Sequence, residues 1–148
     1  MVGILKSGKD QFSALEKACR DAGLRLTHQR LEIFRELSQS TDHPSAEKLH
    51  QRLLKRIPTL SLDTVYRTLA TFETHGLVNR VESIKSQARF EAALGRHHHL
   101  ICRSCGKIMD FQWKTIDDVS LPEEILGWGK ITQKSVVIHG ICKKCLNT

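Results

Sequence analysis

Nowhere in the 148 residues is there a run of about 18 apolar residues, so the sequence offers no membrane-spanning helix. The opening stretch, MVGILKSGKD, has neither a long apolar core nor a small-residue cleavage pattern. A secretory leader is therefore not expected, and the chain is expected to be soluble and cytoplasmic, with no membrane partner. Apart from a doubled Cys-x-x-Cys there is no internal repeat, and there is no low-complexity tract. Also missing are a nucleophile motif and a glycine loop of the kind that cradles phosphate. A metal-activated water on histidines and carboxylates would be the one enzymatic reading left, and no substrate loop accompanies it. The expectation is a protein that is not an enzyme and has no organic small-molecule substrate.

What the chain does have is positive charge. Lys and Arg number 23 against 16 Asp and Glu, a net charge of +7 that suits a polyanion such as nucleic acid. The 14 basic and 10 acidic residues up to Ser86, and the 9 and 6 beyond it, give the two halves similar excesses. If four thiolates in the second half hold one divalent zinc, that cluster adds a charge of about −2 and leaves the surplus in the first half. A chain of this length builds either one domain or two small lobes, and small lobes gain from pairing with a second copy.

From Asp10 to Thr74 the apolar residues return every three or four positions. Phe12, Leu15, Cys19 and Ala22 form one helical stripe, which makes Cys19 a core residue. Leu26, Ile33, Phe34 and Leu37 form a second, and Ala46, Leu49 and Leu53 a third. Gly23 ends the first helix, Thr27 caps the next, and the stretch Thr41 to Ser45 separates the second and third. A fourth helix, Ser61 to His75, has Ser61 as N-cap and places Leu62, Val65, Leu69 and Phe72 on one face. After Gly76 the period becomes two, and Leu77–Val81 with Ala88–Glu91 read as a hairpin. Helices followed by a two-stranded ribbon give the order of a winged helix-turn-helix. From His97 the order is β-β-α-β, with strands at 100–102, 108–111 and 136–141 and one helix near 116–126. The expected class is α+β: a winged-helix DNA-binding domain at 1–86 and a small C-terminal α/β dimerisation and metal-binding domain at 87–148.

The strongest chemical signal is Cys102-x-x-Cys105-Gly106 together with Cys142-x-x-Cys145. Each Cys-x-x-Cys turn presents two soft sulfurs to one ion, and Gly106 eases the backbone around them. Cys102, Cys105, Cys142 and Cys145 thus read as a closed, structural Zn(2+) site that pins the last strand to the first hairpin of its domain. Immediately upstream stands His97-His98-His99. In a strand alternate residues share a face, so His97 and His99 can serve one ion while His98 points away. Glu91 and Asp110 are the carboxylates at hand, and such a mixed shell favours iron, manganese or zinc. A solvated histidine cluster is the competing reading. The third signal is the face of the helix from Ser61, where Ser61, Thr64, Tyr66, Arg67 and Thr68 offer hydroxyls, a ring and a guanidinium. Arg67 suits phosphate or guanine, and Tyr66 suits sugar, phosphate or a thymine methyl. A plain zinc-ribbon adaptor would leave this helix and the ribbon without a role.

Three segments resemble the ferric uptake regulator family: Leu26-Thr27-His28-Gln29-Arg30, Ser61-Leu62-Asp63-Thr64-Val65-Tyr66-Arg67-Thr68-Leu69, and the run from His97 through Cys102, Cys105 and Gly106 to Ile108. The resemblance extends in order to the terminal Cys142-x-x-Cys145. It implies a homodimeric repressor that binds a pseudo-palindromic, AT-rich double-stranded DNA operator when a regulatory metal is loaded. It also implies the regulatory ligands His43, Glu91, His97, His99 and Asp110, drawn from both lobes, with Fe(2+) or Mn(2+) as the metal. Where the family usually has proline, this chain has His28. The positions corresponding to a further metal site in many members are Arg96, His98 and Lys134, so that site is expected to be absent. Peroxide-sensing members typically carry aspartate at the position of Asp110, as here, whereas Glu91 is similar to the iron-sensing branch. The resemblance implies a peroxide-responsive regulator first, with an iron-status or zinc-uptake regulator as the alternative.

Overall fold

The computed structural model describes residues 8–83, 87–93, 95 and 97–148, the side chains of 8–11 excepted. Its contacts divide the chain into two units, Ile4–Leu94 and Gly95–Thr148.

The first unit carries four helices, α1 (Gly8–Asp21), α2 (His28–Gln39), α3 (Ala46–Leu53) and α4 (Leu62–Thr74), and then strands β1 (Val78–Glu82) and β2 (Ala88–Ala92). Local chemistry starts the helices where the sequence says it should. The hydroxyls of Thr27, Ser45 and Ser61 accept the backbone N–H groups of Arg30, Lys48 and Thr64 and so satisfy otherwise orphaned donors. Gly23 takes φ +69° just past α1, and Gly76 takes φ +73° between α4 and β1. One apolar core joins the elements: Leu15 and Cys19 from α1, Ile33, Phe34 and Leu37 from α2, Leu49 and Leu53 from α3, Val65, Leu69 and Phe72 from α4, and Val78 and Phe90 from the strands. Phe34 meets Phe72 edge to face at 5.9 Å. Phe12, expected in the first stripe, is instead exposed.

β1 and β2 pair antiparallel from Val78 opposite Ala92 to Glu82 opposite Ala88. That pairing accounts for a difference from expectation. The division between units falls after β2, beyond Ser86, because a strand belongs with the partner that satisfies its backbone. Ser86 itself lies outside the described residues. Helices and ribbon together make a winged helix-turn-helix.

The second unit is a three-stranded sheet in the order β4-β3-β5, with β3 (His98–Cys102) central, β4 (Ile108–Phe111) antiparallel to it and β5 (Val137–Gly140) parallel. Between β4 and β5 lie two short helices, α5 (Lys114–Asp118) and α6 (Glu123–Leu126), and α7 (Lys143–Leu146) ends the chain. The single helix expected near 116–126 is broken because Pro122 cannot continue one. Among the described residues of this unit few aliphatic side chains are buried: Ile101 and Ile108 are, while Met109, Trp128, Ile138 and Leu146 are exposed. No helix among the described residues is long and apolar enough to cross a membrane.

Candidate metal centres and nucleic-acid interface

Cys102 closes β3, and the chain turns immediately through Gly106, whose φ of +77° only glycine adopts cheaply. Gly106 N–H returns to the Cys102 carbonyl at 2.9 Å, while parallel pairing of β5 with β3 brings Cys142 alongside. The Cys102 sulfur accepts the backbone N–H of Cys142 at 3.3 Å and of Cys105 at 3.5 Å. Those donors favour the thiolate and hold the Cys102 thiol down to about 6. Cys145 goes the other way, to about 11: the Ser104 hydroxyl lowers it, but the thiols of Cys142, Cys105 and Cys102 together with burial outweigh that bond. All four sulfurs lie within 4.8 Å of one another, and Cys105 and Cys142 are 3.9 Å apart. A tetrahedral zinc with Zn–S bonds near 2.3 Å needs sulfurs about 3.8 Å apart, so the cluster fits that ion and leaves it no open position.

Five further expected metal ligands are divided between the units. In the first, His43 sits in the loop between α2 and α3 with φ +49°, and its Nε2 lies 3.0 Å from Oε2 of Glu91 on β2. Both are buried, His43 to 4% and Glu91 to 8% exposure. A buried carboxylate needs a compensating charge, which a proton on His43 or a cation between the two would provide. In the second unit, β3 and β4 pair with His99 opposite Asp110. The Asp110 Oδ1 lies 3.5 Å from His99 Nε2 and 3.7 Å from His97 Nε2, and the two imidazoles stand 5.0 Å apart, nearly perpendicular. One nitrogen-oxygen donor pair thus belongs to the first unit, and two imidazoles with a carboxylate belong to the second.

His98 takes the opposite face of β3, as strand alternation requires, and is 1% exposed. Its Nδ1 accepts the Val136 backbone N–H at 3.0 Å, which makes Nε2 the protonated nitrogen that donates to Asp117 at 2.7 Å. Lys134 donates to the carbonyls of Asp117 and Val119 at 3.2 and 2.8 Å. His98 and Lys134 are therefore engaged as structural braces, and Arg96 lies outside the described residues.

Sequence reasoning missed the residues that hold the His43 loop. Arg89, on β2, donates from Nε to the His43 carbonyl at 2.6 Å and from Nη2 to the Asp42 carbonyl at 2.5 Å. Burial pushes its guanidinium down from the ordinary value, against the opposing pull of Asp42. Phe90 N–H reaches the Pro44 carbonyl at 3.0 Å. From α3, Arg52 holds the Asp42 carboxylate with both terminal nitrogens, and the Asp42 pKa is lowered chiefly by that bond. A guanidinium that serves backbone carbonyls leaves no pattern in a sequence, so only the fold reveals Arg89.

On α4, Arg67 is well exposed and paired with Asp63 at 2.7 Å, one turn away. Tyr66 is exposed, and its hydroxyl donates to the Glu47 carboxylate on α3, which also accepts Gln87 Nε2 at 3.2 Å. Ser61 and Thr64 share the helix cap through a 2.8 Å hydroxyl contact. Thr68, expected on the nucleic-acid face, is 5% exposed and lies in the core. Positions 65, 68, 69 and 72 follow the i, i+3, i+4, i+7 rule for a buried stripe, so geometry overrides the polarity of the threonine.

The chain matches the model of the Ferric uptake regulator family over residues 21–137. It is 36% identical over 126 residues to the peroxide-responsive repressor PerR of Staphylococcus epidermidis, a match spanning 85% of this chain and 84% of that protein. The Helicobacter pylori ferric uptake regulator superposes with a TM-score of 0.80 at 26% identity and 97% coverage of each chain. The Pseudomonas aeruginosa regulator with manganese gives 0.72 at 31% identity, over 86% of this chain and 97% of that one.

Proposed function

Because the chain belongs to the ferric uptake regulator family, we propose that it is a homodimeric, metal-dependent repressor of an AT-rich pseudo-palindromic operator that responds to hydrogen peroxide. The family is one of transcriptional regulators, not of enzymes. Cys102, Cys105, Cys142 and Cys145 hold structural zinc, and the regulatory metal, Fe(II) or Mn(II), takes His43, Glu91, His97, His99 and Asp110 as its ligands. Repression takes place in the cytoplasm.

The observation that carries this reading is the division of donors: His43 with Glu91 in the unit that contains α4, and His97, His99 and Asp110 in the other. An incomplete shell in each unit means that complete ligation requires both. The energy of ligation is then available to select one arrangement of the DNA-binding units, which two half-sites about one helical turn apart require. On DNA, Arg67 contacts phosphate or a guanine edge, the Tyr66 ring packs beside it, and Ser61 and Thr64 hold the start of α4. Ferrous iron held by these residues would supply the redox chemistry that activates peroxide. In the net reaction one peroxide oxygen would enter a C–H bond of an adjoining imidazole, which gives up the two electrons, and the other would leave as water. His43 and His97 are the imidazoles expected to receive that oxygen, and an oxidised ring is a poorer donor.

The peroxide branch is favoured by Asp110 and by the 36% identical relative. Glu91 favours the other reading, a reversible iron-status or zinc-uptake regulator. The test is anaerobic: the zinc-containing dimer is loaded with Fe(II) or Mn(II), given near-stoichiometric hydrogen peroxide, and assayed for operator binding and intact mass. Loss of binding in the iron form alone, with oxygen added to a peptide containing His43 or His97, supports peroxide sensing. Retained binding and unchanged mass leave a metal-status regulator.

A further inference from the structure

We propose that Arg89 is a positioning residue that sets the affinity of the regulatory metal by fixing the backbone of His43; the inference rests on the ligand assignment above. His43 has φ +49°, a region that residues other than glycine seldom enter. It also precedes Pro44, whose ring biases the preceding residue toward extended backbone. A free loop of this sequence would therefore rarely place the His43 imidazole where the fold has it. Something must hold it there.

The holding group is the Arg89 guanidinium, with bonds of 2.6 Å to the His43 carbonyl and 2.5 Å to the Asp42 carbonyl. The planar fork of arginine spans two adjacent carbonyls, which a lysine ammonium does less well. Register does the rest. Arg89 and Glu91 are two residues apart on β2, so one rigid strand fixes the loop that carries the imidazole and also presents the carboxylate 3.0 Å from it. The Phe90 bond to Pro44, from the residue between them, keeps the strand and loop in step. Apparent affinity scales with the fraction of molecules in the competent geometry, so loosening His43 weakens binding without removing a ligand. Partners that orient metal ligands typically affect affinity by about 10–100-fold when removed.

The experiment uses the full-length, zinc-loaded protein as wild type, Arg89→Ala, Arg89→Lys and His43→Ala. Mn(II) affinity is measured by competition with a chelating dye, and hydrogen exchange of residues 40–46 is measured without Mn(II). Arg89→Ala is expected to weaken Mn(II) by about 10–100-fold and to raise exchange across the loop, with zinc content unchanged. Arg89→Lys should fall between it and wild type, and it carries the test if the alanine variant does not fold. A wild-type Mn(II) affinity in either folded Arg89 variant, alongside a weakened His43→Ala, overturns the proposal while the ligand assignment stands. A wild-type affinity in His43→Ala overturns the ligand assignment, and the Arg89 proposal with it.

Discussion

Replacing Cys102 with serine should remove zinc and unfold the second unit while leaving the first folded. Among the described residues of that second unit the buried aliphatic side chains are Ile101 and Ile108, each contributing about 1.5–3 kcal/mol on burial. Two such residues supply roughly 3–6 kcal/mol, whereas a four-ligand structural zinc contributes on the order of 10–16 kcal/mol at neutral pH. The metal term is the larger by a factor of roughly 1.7 to 5, so the unit depends on the ion more than on its core. Cys102 is the most demanding position to change, because its sulfur also accepts two backbone N–H groups, from Cys105 and Cys142, which tie both knuckles together. The first unit keeps a continuous core from Leu15 to Ala92 and contains none of the four ligands. Hydrogen exchange read by mass spectrometry, with zinc measured by elemental analysis, gives the answer on one sample. The expected result is loss of zinc, fast exchange across β3, β4 and β5, retained protection in α2 and α4, and loss of the dimer. Cys102→Ser protein that keeps one zinc per chain and protects β3 as wild type does would refute the reasoning.

Four other substitutions separate the roles assigned to individual residues. His98→Ala removes a buried ring and its bonds to Asp117 and Val136 and should cost about 2–4 kcal/mol in chemical denaturation, with zinc and Mn(II) stoichiometry unchanged; an altered metal count would make His98 a ligand. Thr68→Val should leave operator affinity unchanged in a gel shift, whereas Arg67→Ala should weaken it by about 1–3 kcal/mol if it contacts guanine, or uniformly across sequences with a shallower salt slope if it contacts phosphate. Asp42 has a lowered pKa, chiefly through Arg52, so its contribution to loop stability is present above the ordinary carboxylate pKa and is lost as pH falls through the depressed folded value. Asp42→Asn should remove that part of the acid dependence, seen as faster exchange at residues 40–46 already at neutral pH.

Much of this architecture was legible because its signals are local. A hydroxyl placed before an apolar period announced the caps at Thr27 and Ser61, and the Cys-x-x-Cys spacing carried its chemistry in the residue type. Alternation along a strand separated His98 from His97 and His99 correctly, because a period of two depends on nothing remote. Failures came where a tertiary fact outweighed a local one. Thr68 looked like a surface hydroxyl, yet it sits three residues after Val65 and four before Phe72, and that position on the helix decides its burial. The boundary expected after Ser86 falls later, because the hydrogen bonds of β2 go to β1, as the expected hairpin requires. Arg89 gave no sign at all, since its partners are main-chain carbonyls and any residue can supply those.

Under the proposed ligand set, dividing the donors between units has a thermodynamic consequence that five ligands within one unit would not have. Were all five carried by the second unit, metal binding would stabilise that unit and leave the DNA-binding unit indifferent, since a ligand shifts an equilibrium only by its differential affinity for the two states. With His43 and Glu91 on one unit, an arrangement that offers only three donors binds the ion more weakly than one that offers five. Moving a population from about 1:99 to 99:1 needs a difference of about 5.5 kcal/mol, a demand that falls on the two donors the first unit supplies. Those two are the buried pair whose geometry is held from β2, and this is why the precision of the His43 loop matters more than its exposure. A loop free to carry its imidazole away would surrender the difference between five donors and four, and with it much of the coupling, even with every ligand still present in the sequence.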